Sequence, residues 1–164
     1  KTIYEDLTQL STDVFIELPT KEGGRAINVY ANLAHFDYGK GYLRNQATMN
    51  PTNGTTPGQA SINGAGMGYP SYGTGTVAYL QTGYKFKDNL IGKSTFMPYA
   101  AWQYGDYDRL QDKMHYFDAG VNWLINGHSS KLTLSYQNRP VFNTTGIKED
   151  RKGSVTLQYQ ILIQ

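Results

Sequence analysis

Lys85, Asp118, Asn122, Lys131, Arg139 and Gln158 each fall on the polar parity of a stretch in which apolar and polar residues take turns. That spacing offers electrostatics rather than bond-making. Charged and amide groups set along a narrow, water-filled surface attract ions of one sign and repel the other. Lys85 and Lys131 would favour anions, as would Arg139 if its stretch continues that far, whereas Asp118 opposes them. Lys40 and Arg44 join the set only if the long segment that carries them folds toward the same surface. A solvated surface charge is the competing reading for every one of these residues.

Bond-making chemistry finds less support. His35, His115 and His128 show no spacing that would close a metal site. Asp106, Asp108 and Asp112 offer hard oxygens suited to calcium, but Arg109 and Lys113 lie among them and the EF-hand spacing is missing. GAGMG at 64–68 and GTG at 73–75 lack the strand–turn–helix setting of a dinucleotide site. Nothing arranges Ser, His and Asp as a proton relay, so enzyme chemistry finds little support and no catalytic residue is singled out. With no Cys, disulfides and thiolate metal sites are excluded. The 14 Tyr suggest a single-stranded nucleic-acid platform, but a net charge of +2 and the absence of a concentrated basic groove argue against a nucleic-acid partner. NGT at 53–55 and NTT at 143–145 match glycan-acceptor syntax, which a bacterial origin would make uninformative.

The elements that must position these residues read as strands. Seven segments alternate with period two: roughly 11–18, 26–36, 75–87, 95–105, 115–126, 131–139 and 153–163. In the second, Ile27, Val29, Ala31 and Leu33 form one face, and Asn28, Tyr30 and Asn32 the other. Val121, Trp123 and Ile125 oppose Asn122, and Asn126-Gly127 signals a hairpin turn. Pro98 weakens the fourth strand because it removes a ladder donor, unless a bulge accommodates it. The segment 37–74 is rich in Gly, Pro, Asn, Ser and Thr and reads as one long irregular loop with a functional role.

Connections alternate between short (19–25, 87–94, 126–130) and long (37–74, 105–114, 140–152). Outer-membrane barrels have that asymmetry. A mean hydropathy of −0.53 speaks against long apolar helices but not against a barrel, whose two strand faces meet different media. The apolar faces carry no charge through their middles. Tyr84, Phe86, Trp102, Tyr104, Trp123 and Tyr159 lie near strand ends, as interfacial aromatic girdles do. The expected fold is all-β: the wall of an antiparallel transmembrane β-barrel, with seven or eight strands visible. Such barrels close with even counts of at least eight. The chain is therefore expected to supply part of a larger barrel, completed by a missing N-terminal part or by another chain. A soluble antiparallel domain that binds carbohydrate or protein is the rival reading.

The segments MPYAAWQYGDYDRLQDKMHYFDAGVNWLINGHSSKLTLSYQNRPVF and RKGSVTLQYQILI resemble the porin-like outer-membrane proteins related to the phosphate-selective porins (the porin O/P family), particularly their Bacteroidota branch. The resemblance covers roughly residues 75–164, and a terminal Phe common to barrel assembly signals is replaced by Gln164. It implies an aqueous pore in the bacterial outer membrane that passes small hydrophilic solutes or ions, sometimes with anion preference and often as a homotrimer. It implies no enzyme and no organic cofactor. It also implies that 37–74, with Lys40 and Arg44, folds inward to constrict the lumen. Contact with outer-membrane lipid follows, and a plugged barrel bound to a surface protein is the alternative.

Overall fold

The computed structural model describes residues 7–21, 23–45, 52–53, 68–127 and 129–162. Ten strands appear in chain order: β1 (Thr8–Lys21), β2 (Arg25–Asp37), β3 (Tyr42–Asn45), β4 (Thr52–Asn53), β5 (Pro70–Gly73), β6 (Gly75–Lys85), β7 (Thr95–Tyr107), β8 (Met114–Asn126), β9 (Ser130–Phe142) and β10 (Lys148–Ile161). Seven of them form one antiparallel sheet in the order β1-β2-β6-β7-β8-β9-β10, and β4-β3-β5 form a second, small sheet. The large sheet is open: β1 and β10 are edges, and the sheet does not close on itself into a barrel.

Each of the seven expected strands is present, and most run longer than the sequence pattern marks. β1 extends to both sides of 11–18, and β10 begins at Lys148 rather than near 153. Apolar alternation marks only the part of a strand that must sort two media. Backbone pairing continues beyond it through polar residues such as 148–152, because a hydrogen-bonded ladder needs no particular side chain. The lengthening overturns the strict short–long alternation. The connections are 22–24, 38–74, 86–94, 108–113, 127–129 and 143–147. The supposedly short 86–94 exceeds the supposedly long 108–113 and 143–147, so only 38–74 stands out.

Pro98 is accommodated without a bulge. The β7–β8 register runs unbroken through Pro98↔Val121, while the β6–β7 ladder stops at Gly83↔Tyr99. The missing N–H therefore falls where no rung is recorded. The segment 37–74 is not wholly irregular, since it contributes β3, β4 and β5. Thr74 cinches its two ends together: its hydroxyl donates to the Gly39 carbonyl at 2.6 Å, and the Tyr38 amide donates to that hydroxyl at 3.1 Å. Gly75 then returns the chain to the sheet at φ 142°, a conformation that side-chain-bearing residues rarely adopt.

Buried apolar packing is concentrated on one face, at the end of the sheet where 38–74 connects. Leu43 of β3 and Tyr69 pack there with Val77, Tyr107, Met114, Tyr116 and Phe142. The small sheet thus lies over the large one.

Candidate functional site

The large sheet has two unlike faces. One carries Val14, Ile16, Leu18, Ile27, Val29, Leu33, Leu80, Phe96, Trp102, Val121, Trp123, Leu134, Val155, Leu157 and Ile161. On this face the stretches 27–35, 76–84, 96–104, 117–125, 132–140 and 153–161 carry no Asp, Glu, Lys or Arg. Each is about nine residues long, the length with which a tilted strand crosses hydrocarbon. Charges on the same parity stand at the margins, among them Arg25 at the hairpin end, and Asp37, Asp106, Glu149 and Arg151 at the opposite end. Arg151 holds its guanidinium 5.3 Å from the centre of the Phe117 ring and donates through Nε to Asn138, so the charge lies on an aromatic plate at the band's edge.

The six girdle candidates divide between the two ends. At the hairpin end, Tyr84 and Phe86 meet edge to face at 5.1 Å. Trp123 stacks on Phe96 at 5.9 Å and donates its indole N–H to Ser94 Oγ at 2.9 Å, and the Tyr159 hydroxyl lies 3.3 Å from Ser130 Oγ. Toward the other end, Trp102 packs with Tyr104 at 6.1 Å and with His115 at 6.0 Å, its indole N–H pointing at His115 Nδ1 across 3.3 Å. Rings with one apolar body and one hydrogen-bonding edge suit a boundary between oil and water.

The opposite face is polar. Asp118, Asn122, Lys131 and Gln158 come together in the lining of one cleft of about 470 Å³, which spans β6 to β10. Asp118 organises its centre. Tyr99 donates to Oδ1 at 3.1 Å, and Tyr116 and Gln137 donate to Oδ2 at 3.4 and 3.2 Å. Thr133 donates to Asn122 Oδ1 at 2.7 Å, and the Tyr79 hydroxyl donates to Gln81 Oε1 at 2.7 Å. Tyr69, from the long connection, stacks on Tyr116 and donates to Gln103 Oε1 at 3.2 Å. Burial, and then the neighbouring Tyr79, push the Tyr69 hydroxyl well above the usual tyrosine range.

Two candidates are not part of this lining. Lys85 sits at the hairpin end in an ion pair with Asp88 at 2.7 Å, and Arg139 is buried near the other end of β9. Lys40 is exposed in the turn before β3, and Arg44 lies on the face of β3 opposite the buried Leu43 and Asn45. Tyr69, Tyr79, Tyr99, Tyr116 and Gln137 were not among the expected site residues. Tyrosine placement reads from sequence as strand-end anchoring, whereas these four rings line the polar cleft. For Tyr79, Tyr99 and Tyr116, parity with Gln81, Ala101 and Asp118 is the signal that marks them; Tyr69, from the connection, has no such signal.

Among the described residues, no group of three or more His, Asp or Glu is placed to hold a metal, and no helix is long and apolar enough to cross a membrane. Residues 54–67, with most of the glycine motif and the first glycan-acceptor triplet, lie outside the described residues, as do His128, Ile163 and Gln164. Comparison with models of protein families, with curated proteins and with solved structures finds no match.

Proposed function

We propose that the chain is part of the wall of a bacterial outer-membrane β-barrel, of the kind formed by the phosphate-selective porins and their Bacteroidota relatives, and that it passes small hydrophilic solutes by passive diffusion. The observation that carries this reading is the exposure of the uncharged face. Leu157 is 67% exposed, Leu134 53% and Val121 41%, while Asp118 and Asn122 occupy the other side of the same strand. About fifteen large apolar side chains on that face are similarly open to solvent. In water each forgoes roughly 1 kcal/mol of burial, together on the order of the whole stability of a domain, about 5–15 kcal/mol. Lipid tails restore that contribution, and a water-filled lumen suits the opposite face.

Strand direction constrains how such a barrel closes. β1 and β10 both run from the end of the long connection toward the hairpin end, because seven alternating strands separate nothing but an even number of reversals. Joining them directly, or joining two copies in the same membrane orientation, makes a parallel seam. An all-antiparallel barrel needs a closing wall with an odd number of strands, which brings the total to the even count such barrels have.

The test is conductance. The protein, inserted with its closing wall into planar bilayers, should give discrete channel currents. Verified insertion without current across salts and voltages overturns the pore. The small β3–β5 sheet packed on the polar face favours a second reading, an occluded barrel whose loops bind a surface partner. Insertion without current, together with a stably co-purifying protein, selects it.

A further inference from the structure

Resting on the pore reading, the geometry points to neutral polyhydroxylated solutes, short saccharides, as the ligands of the cleft. A surface that gathers ions of one sign needs like charges facing the passage. This cleft has two ionic side chains of opposite sign, Asp118 and Lys131. Both carboxylate oxygens of Asp118 already accept from Tyr99, Tyr116 and Gln137, so that charge holds two aromatic rings and an amide in place.

The rest of the lining is amide and hydroxyl. Gln81, Asn122, Gln137 and Gln158 contribute amides, and Thr133 and the tyrosines contribute hydroxyls. Such groups both donate and accept, whereas an anion calls for donors alone and a cation for acceptors alone. A sugar hydroxyl is itself donor and acceptor and matches a lining of both. Gln81 gives its oxygen to Tyr79, which leaves its NH₂ donors toward the cleft. Tyr99 spends its proton on Asp118, accepts from Ser135 and keeps a second lone pair for a ligand.

Four tyrosine rings share this space: Tyr69, Tyr79, Tyr99 and Tyr116. The half-exposed Tyr79 and Tyr99 offer apolar plates of fixed orientation, since their hydroxyls are pinned to Gln81 and Asp118, while Tyr69 and Tyr116 lie stacked on each other in the buried cluster. The C–H face of a pyranose packs on such a plate while its equatorial hydroxyls reach the surrounding polar groups. A volume of about 470 Å³ lies within the ordinary range of small-molecule sites, roughly 300–1,000 Å³.

The experiment uses the complete barrel in planar bilayers, with maltotriose and inorganic phosphate as probes. Expected are a reversal potential near zero in a potassium chloride gradient, reversible reduction of current by millimolar maltotriose, and no such reduction by phosphate. Tyr99→Phe and Gln158→Ala should each raise the half-blocking maltotriose concentration roughly fivefold, one hydrogen bond's worth. Gln158 is exposed on β10, so its variant tests the site without threatening the fold. Open channels with anion selectivity, or block by phosphate and none by maltotriose, overturn the saccharide assignment and leave the pore standing. Maltotriose block unchanged in both variants overturns the assignment to this cleft. Verified insertion with no channels at all overturns the pore reading itself.

Discussion

The Tyr69 ring lies flat on Tyr116, with centroids 4.1 Å apart and planes 10° from parallel. One ring belongs to the connection between β2 and β6, and the other to β8 in the wall. The stack clips the connection to the sheet beside the Asp118 cluster. Truncating either ring should destabilise the protein by about 3–5 kcal/mol, and the coupling between the two truncations should be about 1 kcal/mol. A double-mutant cycle from denaturant unfolding in detergent micelles measures it, and additive truncations would mean that the rings stabilise the protein independently.

Burial raises the Tyr69 pKa, so the folded state keeps a proton that the unfolded chain surrenders once pH passes the ordinary tyrosine value of 10.0. Its contribution is complete below that value and is lost as pH rises toward the folded value. Unfolding free energy should therefore fall with rising pH in that alkaline window, and Tyr69→Phe should flatten the fall. Identical slopes for the two proteins would refute the linkage.

Val121 and Asn122 are adjacent in β8 and point to opposite faces. Arginine at Val121 should cost about 2–4 kcal/mol in a bilayer, the cost of a cation near mid-membrane on the lipid side. Lysine at Asn122, on the lumen side, should cost much less. In a water-soluble sheet the half-exposed Val121 would tolerate arginine within about 0.5 kcal/mol. Refolding titrations of both variants in lipid vesicles distinguish the two cases.

Gly75 holds φ at 142°, and an added Cβ would strike the Asp106 backbone. Gly75→Ala should cost about 1–3 kcal/mol through backbone strain alone, with a further steric contribution. Thermal unfolding is the readout. An unchanged midpoint would show that the chain can return to the wall by another path.

Among the described residues, β1 and β10, 14 residues each, have no sheet partner other than β2 and β9. If the proposed closing wall pairs them, their amides in outer membranes should be as protected from hydrogen exchange as those of the central β7. Rapid exchange at both edges in membranes, with β7 protected, would refute closure.

The face assignments were legible because period-two alternation through 117–125 or 153–161 leaves no choice of which residues share a side. Strand ends were not, since the ladder extends through polar residues at 148–152 that carry no alternation. That same blindness made the connections at 108–113 and 143–147 look long. Asp118, Asn122, Lys131 and Gln158 were found by parity and do converge, whereas Lys85 was lost to its local partner Asp88, a pairing that spacing alone does not select over solvation. The tyrosines around Asp118 were not legible because a phenol joins an apolar ring to a polar tip, so its residue type fits either face of a strand. The small sheet was hidden because β3 and β5 are four residues each, too short for a period to show.

Because β1 and β10 travel the same way, gain or loss of a whole hairpin between them leaves the direction of both margins untouched. In the proposed barrel, circumference is thereby free to change in steps of two while the seam keeps one geometry, so the ring can widen or narrow without redesign of the piece that completes it.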